Sequence, residues 1–276
     1  MYEVQNVADA AALLDSGADI EAIDDCGDTP VIVAAKEGKP EILNLLLERG
    51  ANPNARNQKL CSALMYASQF GELEIMRLLI EAGAHLDLSN EVGYTALMFA
   101  AQHGQRPALD LLLDRGAAID ALSSTQSTAL MFASERGHID VVVSLIARGA
   151  RLDQQSNMGK TALMLSASFG NIEIVQVLVG AGSDVATRDN NGLSALMHAA
   201  LNGHLEVVQL LLDRGTDIES RTNKGSTPLM VACSRNQLEV ARFLLERGAS
   251  PSASNSSGLT ALDLTSNALV KALFSS

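Results

Sequence analysis

The sequence predicts an all-α solenoid of stacked helix-turn-helix units with protruding, β-hairpin-like loops. A T/S-A/P-L-M pattern recurs every 33 residues: Thr29, Ser62, Thr95, Thr128, Thr161, Ser194, Thr227 and Thr260 are in phase without one insertion or deletion. Gly17, Gly50, Gly83, Gly116, Gly149, Gly182, Gly215 and Gly248 keep the same interval. Self-similarity at a fixed period of this length marks stacked repeats, each packing on its neighbours. Apolar residues reach 47% but aromatics only 3%, with no Trp, so Ala, Leu, Val and Ile must build the core as thin layers of small helices.

The elements of one unit follow in order. Asp28-Thr29-Pro30 starts a first helix, because a hydroxyl or carboxylate caps free N–H groups and Pro suits the first turn. That helix is short, Pro30 to about Glu37, and its Ala34-Ala35 pair lets a neighbouring helix approach. Gly38 ends it. The equivalents Gly71, Gly104, Gly137, Gly170 and Gly203, with Asn236 in the seventh unit, are the residues that tolerate a left-handed terminus. The second helix carries Glu41 near its start and Arg49 at its end, matching the helix dipole, with Ile42, Leu45 and Leu46 as its apolar stripe. Gly50 stops it, and a turn-rich loop through Asn52, Pro53, Asn54 and Asn57 leads onward. A Gly precedes most Thr/Ser positions by two residues; Leu60 and Gln126 break that rule. Residues 27–257 thus form seven full repeats, with a half repeat or cap at 1–26 and a partial repeat or cap at 258–276. All 276 residues form one elongated domain, since a stack escapes the roughly 250–300-residue limit of a single core.

Thr29-Pro30, Thr227-Pro228-Leu229, the pairs Gly137-His138 and Gly203-His204, and runs such as Leu46-Leu47-Glu48-Arg49-Gly50-Ala51 resemble the ankyrin repeat. The resemblance covers nearly the whole chain and departs at one position. The family's His after T-P-L, which bridges repeats by hydrogen bonds, is here Met65, Met98, Met131, Met164, Met197 and Met230. Met cannot bridge and predicts soft apolar packing instead; no Cys or His shares the row at ligand spacing, so no metal or haem site is expected there.

Net charge is -12, which argues against nucleic acid and anionic membrane surfaces as partners. Residues 1–28 hold eight acids and no Lys or Arg, either a docking patch for a basic region of a partner or a solubilising end cap. Cys26, Cys61 and Cys233 fit neither a disulfide framework nor a zinc pattern, which suits an intracellular, cytoplasmic setting; delivery into a host cell as an effector stays open. No signal peptide precedes Ala10, and no apolar run approaches a membrane span. His85, His103, His138, His198 and His204 are scattered, and no nucleophile elbow or phosphate loop occurs, so neither catalysis nor a cofactor is expected.

A stack offers a long surface instead of a pocket, and the resemblance implies binding through the concave face and loop tips. The position before the first helix's terminal Gly reads Glu37, Phe70, His103, Arg136, Phe169, Asn202 and Arg235. Layers about 10 Å apart make Phe70, His103, Arg136 and Phe169 one strip. Val92, Tyr94, Met158 and Leu193 from the loops, and Leu201 from the helix, extend it. Aromatics and Arg anchor interfaces, so these residues are the expected binding surface for another protein, with the chain a monomeric adaptor, inhibitor or neutralising binder. The opposing interpretation is that each apolar residue tucks against the next loop. A structural spacer is the alternative function, and an enzyme the weakest. Tyr66, Phe99, Phe132, Phe243 and Phe274 are expected in the core.

Overall fold

A computed structural model describes residues 6–274, in two compact units divided within a helix: residues 1–133 and residues 134–276. In the first unit α1 (Val7–Asp15) precedes three helix pairs: α2 (Pro30–Lys36) with α3 (Pro40–Glu48), α4 (Ala63–Phe70) with α5 (Leu73–Glu81), and α6 (Ala96–Gln102) with α7 (Arg106–Asp114). The division falls inside α8 (Ala129–Arg136). The second unit continues with α9 (Ile139–Ala147), α10 (Ala162–Phe169), α11 (Ile172–Gly180), α12 (Ala195–Asn202), α13 (Leu205–Asp213), α14 (Pro228–Ser234), α15 (Leu238–Glu246) and α16 (Ala268–Ala272). In each unit first helices pack on first helices, as α2–α4–α6 and α10–α12–α14. Second helices pack as α3–α5–α7 and α9–α11–α13–α15. This is the all-α solenoid that the period implies.

The repeated sequence explains the repeated geometry. Thr95, Thr128, Thr161, Ser194 and Thr227 accept from the backbone N–H of the Met three residues on, at 3.3–3.4 Å, replacing a bond that the first turn lacks. Thr29 makes no such bond: its buried hydroxyl has no hydrogen-bond partner. Met65, Met98, Met131, Met164, Met197 and Met230 are at most 1% exposed, so the row is apolar packing, as expected. Truncating any one of them to Ala should cost about 2–5 kcal/mol.

One local expectation changes. The buried line of α3 is Leu43 and Leu46; Ile42 and Leu45 are half-buried, because the helix packs one residue around from the stripe assigned to it. Leu60 and Gln126 do not break the loop geometry. They adopt φ 59° and 57°, where the other repeats use Gly, and Asn236 sits at 57°. The loop shape is imposed by stacking, so the two side chains carry the left-handed strain of roughly 1–2 kcal/mol. Gly93 shows the tightness: a Cβ there would lie 2.5 Å from the backbone nitrogen of Ser124. At the C-terminal end Leu269 lies inside α16, capped by Asn267, whose side chain accepts from the Leu269 N–H at 2.8 Å.

The loops are hairpin-like without becoming strands. Among the described residues only isolated bridges occur, Arg56 with Ser62 and Ser254 with Thr260. Within each unit successive loop tips are instead tied by backbone bonds, as Glu91 N to Lys59 O (3.1 Å) and Asn190 N to Met158 O (3.1 Å). Side chains add to this. Asn190 donates to the Asn157 carbonyl at 2.8 Å, and Asn223 to the Asn190 carbonyl at 2.9 Å. Gln155, Arg188 and Arg221 each reach the carbonyl 33 residues on, at 3.0, 2.6 and 2.9 Å. His204 and Gln237 reach back from the turn to carbonyls of Ser168 (3.0 Å) and Leu201 (3.1 Å).

Candidate partner-binding face

First helices and loop tips share one face in each unit. In the first unit Phe70 (50% exposed) ends α4 and Val92 (43% exposed) tips the loop before α6. His103, just past α6, is exposed, and its ring stacks on Phe99 with centroids 6.4 Å apart. Half-buried Tyr94 bridges Phe99 and Phe132 at 6.0 and 4.7 Å. The core expectation fails for Phe99 and Tyr66. Both are half-buried, because their position on the first helix looks toward the loop instead of between layers. Phe132 is buried as expected, while Phe243 and Phe274 are half-buried, the former under Arg247 at 5.3 Å.

A polar network closes the N-terminal end of this face. Asp28, 1% exposed, receives Lys36 Nζ at 2.6 Å and Asn57 Nδ2 at 2.7 Å; Asn57 also lies 3.1 Å from the Tyr66 hydroxyl. The hydrogen bond to Asp28 raises the Lys36 pKa against the pull of desolvation, and burial raises that of Tyr66. Other acids of residues 1–28 are also engaged. Asp15 pairs with Arg49 (2.7 Å), Glu21 accepts from the Asn52 N–H (2.7 Å), and Asp24 caps Cys26 and Asp28 (2.8 and 2.9 Å). Glu3 lies outside the described residues.

In the second unit Arg136 is exposed at the end of α8, Phe169 (56% exposed) ends α10, and Met158 (66% exposed) tips the loop before it. Leu193 and Leu201 are half-buried, Arg235 is exposed, and Leu193 and Leu201 meet Val231 in a hollow of about 300 Å³ rimmed by Asn191, Thr222 and Lys224. The predicted residues therefore fall into two groups: Phe70, Val92, Tyr94 and His103 on the first unit, and Arg136, Met158, Phe169, Leu193, Leu201 and Arg235 on the second.

Behind this second group lies a buried pair. His198 Nε2 is 3.0 Å from Asp189 Oδ2, while Asp189 Oδ1 accepts the N–H groups of Asn191 and Leu193 at 2.8 and 2.9 Å. Desolvation lowers the His198 pKa, the Asp189 bond opposes this, and nearby Lys160 lowers it further. The pair holds the loop that carries Leu193. Lys160 stands in the loop column of Tyr94 and Leu193, Lys224 in that of Val92 and Met158, and His198 in the first-helix column of Tyr66 and Phe99, but a search for exposed apolar bulk does not single them out. Among the described residues no three of His, Cys, Asp and Glu converge as a metal site requires, and no helix is long and apolar enough to cross a membrane.

No curated protein matches the sequence. A family model for ankyrin repeats matches it in overlapping segments, residues 2–90, 56–123, 97–189, 130–222, 163–255 and 214–274. With helix pairs, left-handed turns and loop ladders recurring on the same period, the chain belongs to the ankyrin-repeat family.

Proposed function

We propose that the chain is a protein-recognition module that holds a partner protein against its first helices and loop tips. Ankyrin repeats are generally protein–protein interaction modules. The observation that carries the reading here is the placement of exposed bulk. Phe70, Val92, Met158 and Phe169 are 43–66% exposed on the first-helix and loop-tip face, although aromatics are scarce in this chain. Exposed apolar groups with polar edges mark interaction surfaces. The layer-to-layer loop bonds favour a stiff surface, so little conformational freedom is lost on docking. The partner is thereby scaffolded, inhibited or neutralised. The unpaired thiols Cys26, Cys61 and Cys233 support a reducing, intracellular setting.

The test is capture from native lysate with the intact chain, with a Phe70→Ala/Arg136→Ala/Phe169→Ala variant, and with an outer-helix control, Val143→Ala. Recovery of a partner by the intact chain and the control, lost in the triple variant at unchanged circular dichroism, supports the reading. Equal recovery by all three removes this face from consideration.

A further inference from the structure

The chain's negative charge is unevenly placed. Residues 1–133 carry 19 Asp and Glu against 8 Lys and Arg, whereas residues 134–276 carry 13 against 12. Within the second unit the signs separate again. Its loop segments 154–160, 187–193, 220–226 and 253–259 contain Lys160, Arg188, Arg221 and Lys224, and a single acid, Asp189. That acid is buried and engaged with His198 and two backbone N–H groups. Four of this unit's other acids, Asp140, Glu173, Glu206 and Glu239, stand at second-helix starts, where the dipole favours them. Asp153, Asp184, Asp217 and Glu219 precede these loop segments, and each accepts a backbone N–H.

Arg188 and Arg221 donate along the stack to carbonyls. Lys160, Lys224 and Arg235 do not: among the described residues none of the three meets a carboxylate. Lys224 and Arg235 are exposed, and Lys160 is half-buried close enough to His198 to depress its pKa. Lys224 also rims the hollow of about 300 Å³ whose floor is Leu193, Leu201 and Val231. One unpaired cation, Lys224, therefore borders an apolar depression, with Lys160 and Arg235 elsewhere on the loop-tip and first-helix face of this unit.

We propose that the loop-tip face of residues 134–276 binds an acidic, extended segment of a partner protein, seating one aliphatic side chain in the Leu193–Leu201–Val231 hollow while carboxylates meet Lys160, Lys224 and Arg235. This deepens the recognition reading above and rests on it. The spacing of the segment follows from the repeat. Helix layers lie about 8–10 Å apart, and an extended chain rises about 3.3 Å per residue, so one layer corresponds to about three residues. Lys160 and Lys224 belong to loops two layers apart. The segment should then carry two acids about six residues apart with an aliphatic residue between them. Polynucleotide is the competing polyanion. The aliphatic floor of the hollow offers no stacking platform for bases, which single-stranded nucleic acids require of such a groove.

The test selects random short peptides displayed on phage against the intact chain, then measures the enriched peptide, fluorescein-labelled, by anisotropy. Enrichment of acidic peptides with a central Leu, Ile, Val or Met is expected. Reversal of two charges, Lys160→Glu/Lys224→Glu, should weaken binding by more than about tenfold at low salt, with the difference shrinking as salt rises. Filling the hollow with Val231→Phe should weaken it without changing the salt dependence. Basic or uncharged consensus peptides, or acidic ones indifferent to both variants, overturn the proposal. So does competition by a single-stranded oligonucleotide for the charge-dependent site. Enriched peptides that lose binding on Phe70→Ala/Val92→Asp alone would overturn this assignment yet leave the recognition reading standing. Peptides displaced by no variant on either face would remove both.

Discussion

His198 Nε2 and Asp189 Oδ2 lie 3.0 Å apart, both side chains buried, with Asp189 also holding the loop that presents Leu193. The packing makes this a neutral-imidazole pair, because desolvation pushes the His198 pKa below its ordinary value of 6.5. The unfolded chain thus takes up that proton first as pH falls. The pair's contribution is complete above about pH 6.5 and is lost progressively as pH falls toward the depressed folded pKa. Urea melts should show the native chain losing stability between neutral and mildly acidic pH. His198→Gln should flatten that slope, and parallel slopes would contradict the assignment.

The asparagine ladder is a second expected outcome. Asn190→Ala removes the 2.8 Å bond to the Asn157 carbonyl but leaves the backbone bond to Met158. A loss of about 1 kcal/mol in equilibrium unfolding is expected. An unchanged midpoint would mean that water replaces the side chain without cost.

One layer lacks a tie that others have. Glu21, Asn54, Asp87, Asp153 and Glu219 each accept a backbone N–H from the next layer at 2.7–3.0 Å. At the equivalent place stands Ala186, beside a hollow of about 200 Å³ that it shares with Thr216, whose buried hydroxyl has no hydrogen-bond partner, and with Asp217. Ala186→Asn should cap the Asp217 N–H and stabilise the chain by about 0.5–1 kcal/mol. Thermal melting checks it; a lowered midpoint would show that the neighbouring geometry does not match.

Gln126 carries left-handed strain at φ 57° on an exposed loop. Gln126→Gly relieves a penalty of roughly 1–2 kcal/mol and adds roughly 0.5–1 kcal/mol of backbone entropy cost, so a small net stabilisation is expected. Destabilisation would mean that the Gln126 side chain packs more usefully than its exposure suggests.

The thiols should separate by access. Cys26 is exposed, Cys61 and Cys233 are buried, and burial pushes the Cys233 pKa up to about 12. An aromatic disulfide reagent should titrate Cys26 at once in the native chain and the other two only after denaturation. Rapid native reaction of all three would contradict the packing.

Much of this architecture is legible in the sequence because a glycine or a capping hydroxyl announces its own backbone geometry. Gly38, Gly71 and Gly170 all sit at positive φ where a helix stop is expected, and Asn236 joins them. Leu60 and Gln126 could not be read, since their conformation comes from loops stacked above and below. The half-buried state of Tyr66 and Phe99 was hidden for a related reason: periodicity locates a helix face, but only the loop's path decides whether that face is covered. Of the binding face, exposed Phe70 and Phe169 were found by their scarcity. Arg235 is legible in the first-helix column, whereas its grouping with Lys160 and Lys224 is not, because the three come from different positions of different repeats and share a face only after stacking.

Hydrogen exchange of the intact chain with and without a saturating selected peptide tests the central claim most directly. Slower exchange is expected in the loops 154–160, 187–193 and 220–226 and at the ends of α10, α12 and α14, with α11, α13 and α15 unchanged. Protection confined to α11, α13 and α15 would place the partner on the opposite face and contradict the account.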